Sequence, residues 1–134
     1  MSKCTSAETS DEKAIRILNF NGKPEEWAIW SGKFLARARR KGYRDVLLGK
    51  VTVPSEGRKL KDTDTVEKQN RGHNIAAYED LILSMDGSTE AGRVAFGIVN
   101  NARSDKLTEG DTHLAWTRLT GKYESKSAPN RLAL

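Results

Sequence analysis

Few side chains in this sequence could do chemistry. Cys4, His73 and His113 could each serve as a soft metal ligand, and the histidines as proton carriers. Zinc sites draw their ligands from closely spaced pairs, and these three residues stand alone. His113 falls near the start of a helical stretch, where a partly exposed structural role suits it. Asp62 and Asp64 form the nearest approach to a carboxylate pair, but they sit among lysines in a loop and read as solvated charges. Glu79-Asp80 lies on the polar side of a helical pattern and reads the same way. The chain carries no Gly-rich phosphate loop, no Gly-x-Ser-x-Gly elbow and no His-Glu-x-x-His. No catalytic residue, metal ligand or cofactor site is assigned, so a non-enzymatic protein without a small-molecule substrate is expected.

The polar feature with definite shape is basic. Residues 31 to 50 hold Lys33, Arg37, Arg39, Arg40, Lys41, Arg44 and Lys50 against one acid, Asp45, a local sum of +6 that exceeds the +5 of the whole chain. Such a face suits phosphates, a pore lining or an acidic neighbour. Lys33, Arg37, Arg40, Lys41 and Arg44 are the candidate patch, facing RNA or a pore, and any RNA contact would be weak and non-specific.

This patch rides on the element that organises the chain. Asn21-Gly22 signals a turn, Pro24 suits a first helical turn, and Glu25 and Glu26 suit its dipole. Arg39, Arg40 and Lys41 suit the far end, and Gly42 stops the helix. The spacing predicts a helix over 24–41 whose apolar stripe is Trp27, Trp30, Phe34 and Ala38. Tyr43 to Gly49 reads as a second, short helix, and residues 51 to 64 as a loop. A third helix is expected to end near Met85 with Ile75, Tyr78, Leu81 and Ile82 inward, its start blurred by Gly72. In a fourth, opened by Ser88 as cap, Ala91, Val94, Ala95, Ile98, Val99 and Ala102 share one face. Gly92 and Gly97 within it point to close approach of another element. A fifth helix carries Trp116, Leu119 and Tyr123, with Ala115 beside them. Pro129 opens a sixth that is cut short at Leu134, as if the natural chain ran on.

The 134 residues suit one domain, with 37% hydrophobic side chains to build its core. Met1 to Lys13 lacks periodicity and reads as a mobile tail, leaving a domain over 14–134. A single cysteine excludes an internal disulfide framework. No signal peptide and no apolar run near the ~18 residues of a membrane span is present, so a cytoplasmic protein without a membrane partner is expected. Strand alternation is lacking. The expectation is an all-α, compact bundle of five to six helices, with Trp27, Trp30, Phe34, Tyr78, Ile82, Val94, Ile98, Trp116, Leu119 and Tyr123 as its core.

Two blocks carry a family resemblance. Phe20-x-Gly22-x-x-x-x-Trp27, followed by a helix ending in basic residues and Gly42, resembles the opening of the Gag polyprotein of copia-type LTR retrotransposons. Ala115-Trp116-x-x-Leu119-x-x-x-Tyr123, then Glu124-Ser125-Lys126-Ser127 and Asn130-Arg131-Leu132-Ala133-Leu134, resembles a later block of the same family. Glu26, just before Trp27, departs from it, since the family often places an apolar residue shortly upstream. The resemblance spans residues 15 to 134 and implies the N-terminal capsid domain of Gag, of retroviral type, or a domesticated copy. It implies self-association as a homo-oligomer, through rings, into a shell or virus-like particle that packages retrotransposon RNA. The second helical domain and zinc knuckle of the family lie outside this sequence. The rival reading from the residues is a small helical nucleic-acid-binding module that uses the basic first helix.

Overall fold

In a computed structural model the chain is described over residues 19–127, with side chains through Glu124. Residues 1–13, most of the segment from Ala14 and the helix expected at Pro129 lie outside the described residues. A 3-10 turn at Pro24–Glu26 leads into α1 (Trp27–Lys41), followed by α2 (Arg44–Leu47), α3 (Thr65–Ser84), α4 (Glu90–Asn100) and α5 (Thr112–Ser127). The all-α reading holds: among the described residues the extended pairing consists of one isolated parallel bridge between Phe20 and Met85.

The helix limits follow from local chemistry. α1 opens on Pro24 in the preceding turn and closes on Gly42, whose φ of 89° is the left-handed conformation a helix stop requires. α3 begins at Thr65 and runs through Gly72 for 20 residues. α4 is capped by Thr89 and not by Ser88: the Thr89 hydroxyl accepts the Gly92 N–H at 3.0 Å. Ser88 instead donates its hydroxyl and its amide to Asp86 Oδ1, which closes the turn before the cap and holds the Asp86 carboxyl below its usual range.

α5 is the centre of the bundle. It packs against the 3-10 turn and against all four other helices, with Ala115, Trp116, Leu119 and Tyr123 buried. Trp116 meets Trp27, Trp30 and Phe34 of α1 with ring centroids 5.5 to 6.0 Å apart. Phe20 completes the aromatic core by stacking on Trp30 and standing edge-on to Trp27 and Tyr123. It is held there by its backbone, which donates to the Ser84 carbonyl at 2.7 Å and accepts from Asp86 N–H at 2.9 Å. The segment that enters α1 is thereby tied to the end of α3.

Two glycines mark close backbone approaches. Gly22, at φ 81°, lies so near the Ala91 carbonyl that a Cβ would overlap it. Gly92 stands against the Asp86 carbonyl in the same way. Gly97 has nothing within 4 Å of a Cβ position, so the close approach expected there is not found.

The expected inward faces of two helices are corrected. Val94 is 47% exposed and Ile75 is 53% exposed. The expected stripe, five positions on α4 and Ala102 just beyond it, is wider than the surface that covers it. Burial centres on Gly92, Ala95 and Val99, leaving Val94 outside and Ile98 partly covered. On α3 the inner face is Asn74, Ala77, Tyr78, Leu81 and Ser84, which rotates Ile75 outward and leaves Ile82 at the core margin. Its polar members are satisfied. Asn74 donates to the Gly110 carbonyl at 3.0 Å and accepts from Thr112 N–H at 3.0 Å, while the Thr112 hydroxyl donates to the Asn74 carbonyl at 2.7 Å. This buried amide pins α3 to the start of α5, the service a buried polar group must perform to be tolerated.

Candidate functional site

The expected basic patch is smaller than its sequence. Lys33, Arg40, Lys41 and Arg44 are exposed, as are Arg39 and Lys50. Arg37 leaves the patch. Its Nε donates to Asp80 Oδ2 across the α1–α3 contact at 3.3 Å, and both side chains are only 14% exposed. The same carboxylate oxygen accepts the Tyr43 hydroxyl at 2.6 Å. Burial, together with the neighbouring carboxylate, pushes the Tyr43 phenol far above its usual range.

Arg37–Asp80–Tyr43 is therefore an internal joint between α1, α3 and the residue entering α2. Asp80 is not the solvated charge that its place beside Glu79 suggests. The polar face of an isolated helix becomes an inner face once a partner with a long cationic side chain lies across it. What remains outside is six exposed basic groups against Asp45, on α1, α2 and the chain that follows. The exposed face of α1 runs Ile29, Lys33, Ala36, Arg40, at i, i+4, i+7 and i+11, so an apolar side chain 62% exposed stands in line with two cations.

The sequence gives no hint of a second surface, because three separate segments build it. Pro54 and Glu56 from the loop, Arg71, Ile75, Tyr78 and Glu79 from α3, and Leu107, Glu109 and Gly110 before α5 enclose a groove of about 450 Å³. Its floor is largely apolar. The loop wall is strapped in place: Arg71 Nη2 donates to the Ser55 and Arg58 carbonyls, both at 2.7 Å, and Arg71 Nε is buried without a partner among the described residues. The Glu56 carboxylate accepts the Thr108 hydroxyl at 2.6 Å and the Glu109 N–H at 2.8 Å. Those bonds hold its carboxyl below the usual range, the Thr108 hydroxyl contributing most. Glu79 and Glu109 are exposed and their carboxylates have no partner among the described residues.

The other residues weighed for chemistry stay apart. His113 Nδ1 lies 3.0 Å from the Leu47 carbonyl, and its ring packs under Gly49. His73 lies beside Gly42. Asp62 pairs with Lys68 at 3.4 Å on the surface, and Asp64 accepts the Lys61 N–H at 2.9 Å in the turn before α3. Among the described residues no three His, Cys, Asp or Glu side chains gather as a metal site; Cys4 lies outside them. No helix of the described residues is long and apolar enough to cross a membrane.

No family model, curated protein or solved structure matches the chain.

Proposed function

We propose that this domain is a structural, non-catalytic module that works by associating with copies of itself, as the resemblance to the capsid region of copia-type Gag implies. One observation carries the reading. Large apolar side chains stand 37 to 62% exposed on three different helices: Ile29 on α1, Val66, Ile75 and Leu83 on α3, and Val94 and Phe96 on α4. Scattered exposed apolar residues are ordinary in a monomer. A subunit surrounded by neighbours needs modest apolar contacts on several sides, each too weak to hold a dimer in dilute solution and sufficient together when a ring or shell closes.

Sedimentation of the nucleic-acid-free chain over a wide concentration range tests this. The average mass is expected to climb steadily with concentration. A mass that stays at the monomer value throughout overturns the proposal.

A second reading is favoured by the exposed cations of α1 and α2. Lys33, Arg40, Lys41 and Arg44 would give weak, non-specific RNA contact, with affinity falling by orders of magnitude between low and moderate salt if several phosphates are touched. Tight RNA binding by a strictly monomeric chain would make this the primary function.

A further inference from the structure

The groove beneath Glu79 and the basic face of α1 lie on opposite sides of α3. His73 and Asp80 turn toward the α1–α2 junction, where they meet Gly42, Arg37 and Tyr43. Arg71, Ile75, Tyr78 and Glu79 occupy the other side and line the groove. A single molecule cannot bring these two surfaces together, but two molecules can.

Their chemistry is complementary. The groove has an apolar floor from Pro54, Ile75, Tyr78 and Leu107, and at its edge the carboxylates of Glu79 and Glu109, which have no partner among the described residues. Arg71, the cation in its lining, is tied to the loop carbonyls. The α1 face offers Ile29 for the floor, and Lys33 and Arg40 for the rim. The aliphatic stems of those cations can lie on apolar surface while their charged ends reach the carboxylates.

We infer that the groove between the 54–58 loop, α3 and the 107–110 turn receives the exposed face of α1 from a second copy of this chain. The contact is heterologous, a different surface from each partner, and such contacts run on into rings or filaments instead of stopping at a dimer. This inference rests on the proposed self-association and specifies its surfaces. It also sets a sign for salt: a contact steered by opposite charges weakens as salt rises, whereas one that brings two basic faces together strengthens.

The test uses two charge-reversed variants of the full chain, Glu79→Lys/Glu109→Lys in the groove and Lys33→Glu/Arg40→Glu on α1. All four positions are exposed, and unchanged helical circular dichroism and melting verify that each variant folds. Self-association by sedimentation is expected to weaken about tenfold or more in either variant, since like charges brought face to face oppose the contact strongly. In an equimolar mixture each groove meets an α1 face of opposite charge on the other variant, one pair native and one exchanged, so the mixture is expected to assemble beyond dimers where neither variant alone does. A chain carrying all four changes is expected to regain association through the exchanged charges.

If the unmodified chain self-associates and neither variant weakens it, or if salt strengthens it, the surfaces are wrong and self-association stands. If the unmodified chain never self-associates, both the inference and the proposed function fall.

Discussion

All three tyrosines of this chain are built to stay protonated, and alkaline titration should expose it. Tyr43, Tyr78 and Tyr123 are 1%, 7% and 2% exposed. The Tyr43 hydroxyl donates to the Asp80 carboxylate and the Tyr78 hydroxyl to the Val99 carbonyl, each at 2.6 Å. A phenolate in either place would face an acceptor with no proton to offer it. Burial raises all three, and for Tyr43 Asp80 adds to it. The unfolded chain releases these protons near the ordinary value of about 10.

Above that pH the folded state therefore holds protons that the unfolded state has shed. Their stabilisation is complete below about pH 10 and is lost as pH rises through the raised folded values. Tyr43 contributes a slope of about 1.4 kcal/mol per pH unit between its unfolded and folded values, and Tyr78 and Tyr123 add to it in the same direction. Against a typical ~5–15 kcal/mol, a loss at that slope over a few units is a substantial share of the domain's stability. Tyrosinate absorbance and helical circular dichroism, followed together from neutral to alkaline pH, measure this directly. The expected result is one steep transition in which ionisation and loss of helix coincide. Gradual ionisation centred near pH 10, with the helices intact, would refute the buried placement of these rings.

Two further expectations come from contacts within the bundle. Gly92→Ala and Gly22→Ala should each lower the melting temperature markedly because the new Cβ meets the Asp86 or Ala91 carbonyl, whereas Gly97→Ala, open on its outer side, should gain up to ~1 kcal/mol of helix propensity. Chemical denaturation of the three variants checks the order, and a destabilising Gly97→Ala would contradict it. Asp80→Ala should cost about 3 kcal/mol by stranding the Arg37 guanidinium and removing the acceptor of the Tyr43 hydroxyl, while Glu79→Ala should stay within about 0.5 kcal/mol. Equal effects at the two positions would show that Asp80 is solvated after all.

The elements were legible where local chemistry alone decides them. Pro24, the acidic first turn, the basic last turn and Gly42 delimit α1 without reference to any partner, and the Trp116–Leu119–Tyr123 spacing marks the buried side of α5. What escaped depends on partners remote in sequence. Asp80 reads as surface because Arg37 lies 43 positions away. Nothing local marks Asn74 and Thr112 as buried, because each satisfies the other across 38 positions. Helical periodicity finds an apolar stripe but not how much of it a neighbour covers, which is why Val94 and Ile75 were expected inside. Of the candidate site, the cations of α1 and α2 were visible and Arg37 was miscounted among them. The groove could not be seen at all, since its walls come from residues near 55, 75 and 108 and no one of those segments carries a recognisable pattern.

The central claim is self-association through complementary faces, and the mixture of the two charge-reversed variants tests it most directly. Sedimentation of Glu79→Lys/Glu109→Lys with Lys33→Glu/Arg40→Glu, at a concentration where the unmodified chain forms larger species, should show each variant alone as monomer and the mixture assembling into larger species. A mixture that remains monomeric while the unmodified chain assembles would contradict the account.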